Sequence, residues 1–421
     1  MQLTQRIAVV GGGVVGINTA YQLQKQGFDV TVYEPNEIAS GASFGNAGHF
    51  ATEQVFPLAD PALLLQVPKM LSDPLGPFRI KTSYLPKVMP WFTRFLRQMS
   101  SDNRQSNTRH IKALNEAAID AWKRVLSDAC STDLLVLKGS LLTFEKIEQD
   151  KIDKMLNAFN VQGVNAKFIT GKALADLAPQ LDECIQGAIY FAEVGHTPDP
   201  QALATSVSNL FCRLGGSIIH ESVMNITDEP RPIVTTLQSD QSFDKIVICA
   251  GAFSKSLVKK LGYRVPLETE RGYHLMLPIK VDLDCPIASN DRKFIMTPMN
   301  SGLRLAGTVE FGGNDSKPDY QRSDMLLTHA KAMLSKARCP QLHELTLEHL
   351  KDDTRWMGRR PSLPDSLPVM DRSPHNPSVF FNFGHQHLGL TWGAICGELM
   401  AQLITNEHSS IDLTPYRITR F

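Results

Sequence analysis

The sequence contains no run of 18 consecutive apolar residues, so no membrane-spanning helix is expected. It also lacks an excess of either charge, with 43 Lys and Arg against 43 Asp and Glu. A balanced chain offers no broad cationic field for a phosphate backbone, and nucleic acid is therefore not an expected partner. Cysteine is scarce and scattered. The seven cysteines, at positions 130, 184, 212, 249, 285, 339 and 396, form no CxxC pair and no zinc spacing, so no metal site is expected. An odd, dispersed set suits a reducing compartment. There is no internal repeat and no low-complexity tract. The first apolar run is short and leads straight into glycine, unlike a signal peptide. These absences leave small-molecule chemistry in the cytoplasm as the expectation.

The chain is long enough, at 421 residues, for two domains or one elaborate one. Residues 7–10 form an apolar run that ends in Gly11-Gly12-Gly13. Residues 14–24 carry apolar side chains at helical spacing, Gly27 closes them, and residues 30–33 read as a second buried strand. A strand–helix–strand unit implies a parallel sheet. Helices are predicted at 103–129, 151–161, 201–214, 324–337 and 392–404. Strands are predicted at 134–136, 140–144, 217–220, 243–250, 267–277, 294–310 and 379–383. Residues 57–90 are proline-rich and predict short helices at best.

Gly11, Gly13 and Gly16 make GxGxxG in the setting the motif requires, after a strand and at the start of a helix. The first glycine permits a tight turn, the second lets backbone approach a pyrophosphate, and the third lets the helix lie close to the sheet. Val14 and Val15 open the helix, whose N-terminal N–H groups favour an anion. Glu34 ends the second strand, where a carboxylate can accept from ribose hydroxyls. This pattern predicts a bound dinucleotide and by itself separates neither FAD from NAD. The stretch Gly41-Ala42-Ser43-Phe44-Gly45-Asn46-Ala47-Gly48-His49-Phe50 is too glycine-rich for a helix or strand.

Four segments together carry a resemblance: the N-terminal fingerprint, GASFGNAG at 41–48, Arg271-Gly272-Tyr273-His274, and the tail. The tail reads WMGRRPSLPDSLP from Trp356, then GHQHLGLT from Gly384 to Thr391. The sequence thereby resembles the FAD-dependent D-amino-acid oxidase/dehydrogenase family, most closely its bacterial dehydrogenase branch, which includes D-hydroxyproline dehydrogenases. The resemblance runs from Ile7 to Ile404 and is weakest across 57–200.

That resemblance implies FAD as cofactor. It implies an α/β fold with a Rossmann-like FAD-binding domain of the glutathione-reductase type and an inserted antiparallel β-rich substrate domain. The expected division is 1–80, 196–266 and 350–421 for the FAD-binding domain, and 81–195 and 267–349 for the substrate-binding domain. The implied reaction is oxidative deamination: a hydride leaves Cα for flavin N5, giving an imine and then a 2-oxo acid. Cyclic substrates such as D-hydroxyproline are included. Two alternatives stay open, an oxygen-using oxidase of glycine, sarcosine or other secondary amines, and a catalytically inactive flavin-binding subunit. The implied partners are an amino-acid substrate and a quinone or other electron-transfer acceptor. Hetero- or homo-oligomers, and peripheral contact with the inner membrane face, are left open.

The resemblance also places residues. Arg360 holds the position of an arginine that grips the substrate carboxylate, which a planar guanidinium can bind with two parallel bonds. Arg359 competes, since neighbours on a strand face opposite sides. Arg304 and Arg271 are next in line. Gly384, His385, Gly389, Leu390 and Thr391 match a turn that brings a helix N-terminus to the flavin, with Thr391 as a candidate N-cap. Ala250 and Gly251 fall near the FAD diphosphate. Gly41, Ala42 and Ser43 reach phosphate and ribityl oxygens. Asn46, Ala47 and Gly48 lie beside the ring, where a side chain at Gly48 would crowd it. His387, His274 and His49 are candidate catalytic groups, able to donate a hydrogen bond or take the amine proton.

Overall fold

The computed structural model describes residues 4–73 and 76–421. Residues 1–3, 74 and 75, within the expected piece 1–80, lie outside the described residues. A six-stranded sheet runs in the order Val369–Arg372, Val379–Phe383, Lys245–Ile248, Arg6–Val10, Asp29–Tyr33, Ser217–Ile219. All neighbours are parallel except the edge strand Val369–Arg372. The alternation of side chains along a strand divides its residues between two cores. Ile7, Val9, Val30, Val32 and Val247 join one core with helices Val14–Lys25, Ser101–Asp128, Pro200–Arg213 and Gly389–Thr405. Ala8, Val10, Tyr33, Ile246 and Ile248 join the other, with helix Ser254–Lys260 and a small antiparallel sheet formed by Asn225–Ile226, Ile233–Thr235 and Asp240–Ser242.

A nine-stranded, mostly antiparallel sheet forms the second layer system. Its path is Arg355–Ser362, Glu268–Leu277, Gly302–Phe311, Phe294–Met299, Ile287–Ser289, Ser140–Phe144, Gly187–Phe191, Ala166–Thr170, with Phe78–Ile80 pairing on Gly302–Phe311. Three elements sit on the other side of the expected division. Phe78–Ile80 and Arg355–Ser362 belong to this sheet. Helix Ser101–Asp128 buries Ile111, Leu114, Ala118 and Trp122 in the core beside Gly389–Thr405.

Local structure also departs from the sequence reading. Residues 134–136 form no strand: Thr132–Leu134 is a 3-10 turn, and Val136 makes an isolated bridge to His196. The stretch 294–310 is two strands, Phe294–Met299 and Gly302–Phe311. The proline-rich segment holds full helices, Ala62–Ser72 and Leu85–Arg97. Pro86 sits in the first turn of the latter, where no intrahelical N–H is needed. No helix among the described residues is long and apolar enough to cross a membrane.

Candidate active site

Four parallel strands end at the same sheet edge. They deliver Gly11 after Val10, Glu34 after Tyr33, Ala250 and Gly251 after Ile248, and Gly384 after Phe383. Ligands of open α/β sheets bind at this carboxyl edge. Gly11 has φ +111°, and a Cβ there would lie 2.6 Å from the Cys249 carbonyl oxygen. A Cβ on Gly16 would lie 1.9 Å from the Gly11 oxygen, so the helix rests directly on the turn. Glu34 accepts from Gly12 N–H at 2.9 Å and from Asn36 N–H at 3.2 Å. These bonds fix the carboxylate beside the glycine turn.

The glycine-rich loop 41–48 is shaped by its own residues and clamped from the large sheet. Ser43 Oγ accepts from Val14 N–H at 2.9 Å, which seats the loop on the helix N-terminus and occupies that donor. Asn46 donates to Ser43 O at 2.7 Å and accepts from Gly48 N–H at 2.7 Å, so its amide is used within the loop. Arg304 donates to Phe44 O and Asn46 O, at 3.1 and 2.8 Å. His274 Nδ1–H donates to Gly45 O at 2.9 Å, and its ring stacks on Trp356 at 5.0 Å. Burial lowers its pKa to about 3, with Arg304 adding to the effect. His274 thus clamps the loop through its Nδ1–H. Its strand neighbour Tyr273 faces away and donates to Glu310 at 2.6 Å.

Gly48 is constrained by the protein around it. Its φ is +68°, and a Cβ would lie 2.7 Å from both Met299 Cε and the Thr197 carbonyl oxygen. Gly41 shows the converse, since a Cβ there would meet nothing within 4 Å. Ala42 and Ala47 lie in the same loop, and Val15 opens the helix beside Val14.

The last helix, Gly389–Thr405, also opens at this edge, and its N-terminal residue Leu388 provides no side-chain cap. Thr391 is not the cap. Its hydroxyl accepts from Ala51 N–H at 3.0 Å, while Trp122 Nε1–H bonds Leu390 O and Thr391 O at 2.9 and 3.2 Å. His385 is fully enclosed: its Nε2 has no hydrogen-bond partner, and burial lowers its pKa to about 3.

A polar cluster adjoins the loop. His387 Nε2–H donates to Gln54 Oε1 at 2.8 Å. Low-polarity surroundings first, then Arg360 and His49, bring the His387 pKa to about 4. His49 pairs across a two-stranded ribbon with His196 and lies 3.7 Å from Glu53, Nε2 to Oε2. Sequence reasoning missed Glu53, Gln54 and His196. The only signal was an acid four residues after His49, in HFATEQV.

The four candidate arginines separate clearly. Arg271 is buried against Glu310 at 2.9 Å and donates to Ser316 O. Arg304 holds the loop. Arg359 places Nε and an NH2 group on Asn314 O at 3.1 and 2.8 Å. Arg360 makes one long bond, 3.4 Å to Thr308 O, and among the described residues no carboxylate oxygen lies within 4.0 Å of it. Its guanidinium lies over Gly272, where a Cβ would come within 2.3 Å of it.

A parallel sheet with a glycine turn, a fixed strand-end carboxylate and two helix N-termini at one edge defines a dinucleotide-binding oxidoreductase. The chain belongs to the DAO family, FAD dependent oxidoreductase, which matches residues 6–403. FAD is its cofactor, and the space beside Gly41, where a Cβ would meet nothing within 4 Å, and the two helix N-termini at this edge fit such a group. A D-amino-acid oxidase of Bradyrhizobium diazoefficiens is 30% identical, with 99% of each chain covered. A D-amino acid dehydrogenase of Vibrio atlanticus is 26% identical, again over 99% of both chains. Among solved structures, glycine oxidase from Geobacillus kaustophilus superposes with a TM-score of 0.73 at 20% identity, covering 99% of this chain and 100% of that one. L-proline dehydrogenase from P. horikoshii gives 0.75 at 19%, covering 100% and 98%. At these identities the solved structures share the fold.

Proposed function

We propose that the protein oxidises D-amino acids, cyclic ones such as D-hydroxyproline included, to the imine and then the 2-oxo acid. The observation that carries this reading is the Arg360 guanidinium, which makes one long hydrogen bond, to Thr308 O, and among the described residues has no carboxylate oxygen within 4.0 Å. It binds the substrate carboxylate through paired N–H donors. FAD supplies the hydride acceptor. Gly11, Gly13, Val15 and Glu34 hold its adenosine diphosphate end, with Gly41 to Ser43, Ala250 and Gly251. Ala47, His385 and the helix start Gly389–Leu390 line the flavin side. Asn46, Gly48 and Thr391 act indirectly by shaping and pinning the loop. His387 and His49 stay neutral at physiological pH and can accept a hydrogen bond or pass a proton. The names of the curated relatives support the D hand and an amino-acid substrate.

Anaerobic bleaching of the yellow flavin by a panel of amino acids of both hands tests the reading. Bleaching by D-amino acids alone is the expected result. Flavin that none of them bleaches overturns it. Electrons are proposed to pass to a quinone or other electron-transfer acceptor, as the dehydrogenase relatives suggest. Dye reduction should therefore exceed peroxide formation.

A further inference from the structure

Glu53 is held where a carboxyl group is costly. The backbone around it is pinned from two helices: Ala51 N–H bonds Thr391, and Asn115 Nδ2 donates to Thr52 O and Gln54 O at 3.0 and 3.2 Å. Asn115 is itself fixed by Trp392 Nε1–H at 2.7 Å. The side chain therefore points inward and is only 8% exposed. Its Oε2 and the facing His49 Nε2 are both buried without a hydrogen-bond partner. A buried polar group left unpaired costs folding free energy, so its retention calls for a use. On its other side Glu53 lines a cleft of about 530 Å3 between helix Ser101–Asp128 and residues 162–165 and 191–194. Glu53 thus stands between the His49–His387–Arg360 cluster and this cleft.

We propose that Glu53 is the proton acceptor of the site, taking through His49 the proton that the substrate ammonium must shed and releasing it into the cleft. This rests on the amino-acid reading above. In the step, a substrate N–H bond breaks and its electron pair stays on nitrogen. The imidazole takes that proton on one nitrogen and releases one from Nε2, and an O–H bond forms on Glu53 Oε2. The substrate goes from +1 to 0 and the carboxylate from −1 to 0, so charge balances. The 3.7 Å gap closes by a small side-chain rotation, as separations in unliganded sites commonly do. Burial raises the Glu53 pKa to about 8 and lowers that of His49 to about 4, so the imidazole relays and the carboxylate keeps the proton. The charged and titratable groups facing the pair are His196 on the paired strand, His387 beside the last helix, Lys112, Glu116 and Lys123 on helix Ser101–Asp128, and Glu193 across the cleft.

The test uses FAD-loaded wild type, Glu53→Gln and Glu53→Asp. Anaerobic stopped-flow reduction is followed from pH 6 to 10 with the amino acid that bleaches wild type fastest. The wild-type rate should rise through an ionisation near pH 8. Glu53→Gln should lose that rise and be about 100-fold slower at pH 9. Glu53→Asp should keep the ionisation at a reduced rate. Infrared difference spectra without substrate should show a protonated carboxyl that titrates near 8 in wild type and is absent in Glu53→Gln. Bleaching with an unchanged profile in Glu53→Gln, or no carboxyl titrating above the ordinary range, overturns the role of Glu53 alone. Wild-type flavin that no amino acid bleaches overturns the amino-acid reading and this role with it.

Discussion

Thr391 Oγ1 accepts a hydrogen bond from Ala51 N–H at 3.0 Å across 340 positions of sequence. The bond joins the exit of the glycine-rich loop to the start of the last helix, so it couples both halves of the cofactor edge. Thr391→Val keeps shape but strands a buried donor, which costs about 1–3 kcal/mol. Urea unfolding of the FAD-loaded protein should show that loss, and Thr391→Ser should restore most of it.

Arg360→Leu should raise KM strongly while FAD stays bound, because losing a charge-assisted pair costs on the order of 2–5 kcal/mol. Arg360→Lys should rescue poorly, since an ammonium cannot make the paired contact. Arg359→Leu should change KM little. Steady-state kinetics on all three, with the flavin spectrum as control, decides the carboxylate site; unchanged KM in Arg360→Leu moves it elsewhere.

Two glycines of the same loop should behave oppositely. A Cβ on Gly45 would lie 2.2 Å from the Trp356 ring, so Gly45→Ala should destabilise even the cofactor-free protein by about 1–3 kcal/mol. Gly41→Ala meets no protein atom within 4 Å and should leave cofactor-free stability unchanged while weakening FAD binding. Thermal unfolding without FAD and a fluorescence titration with FAD separate the two effects.

Acid should destabilise the fold through its buried histidines. Burial lowers the pKa of His49 and His196 to about 4, and of His274 and His385 to about 3, from the ordinary 6.5. Below 6.5 the unfolded chain binds protons that the folded chain refuses. Stability is therefore full above pH 6.5 and is lost as pH falls toward 4 and 3. Each such group adds up to about 1.4 kcal/mol per pH unit. Urea midpoints between pH 4 and 7 should fall accordingly, and His385→Gln should flatten the slope.

Much of the first ~35 residues was legible because the period of apolar residues changes from 2 to 3.6 and back, with glycines at each junction. The role of Thr391 was not legible: a hydroxyl at a helix start is normally read as a cap, and its partner lies at the other end of the chain. The protein neighbours of Gly48 were not legible either, because Met299 and Thr197 reach it only after the sheets assemble. Residues 134–136 carry strand-forming side chains but have a single bridge partner, His196.

The amino-acid sequence by itself determined the local elements, the glycine turn with Glu34, and the family with its FAD, since these depend on neighbours in the chain and on motif spacing. Only the tertiary structure decided which of the four arginines stands without a carboxylate or a short hydrogen bond, that His274 is a clamp, and that Glu53 faces His49. Those facts depend on which hydrogen-bond partners are already occupied, and the partners come from distant segments: Asn314 for Arg359, Glu310 for Arg271 and Gly45 for His274.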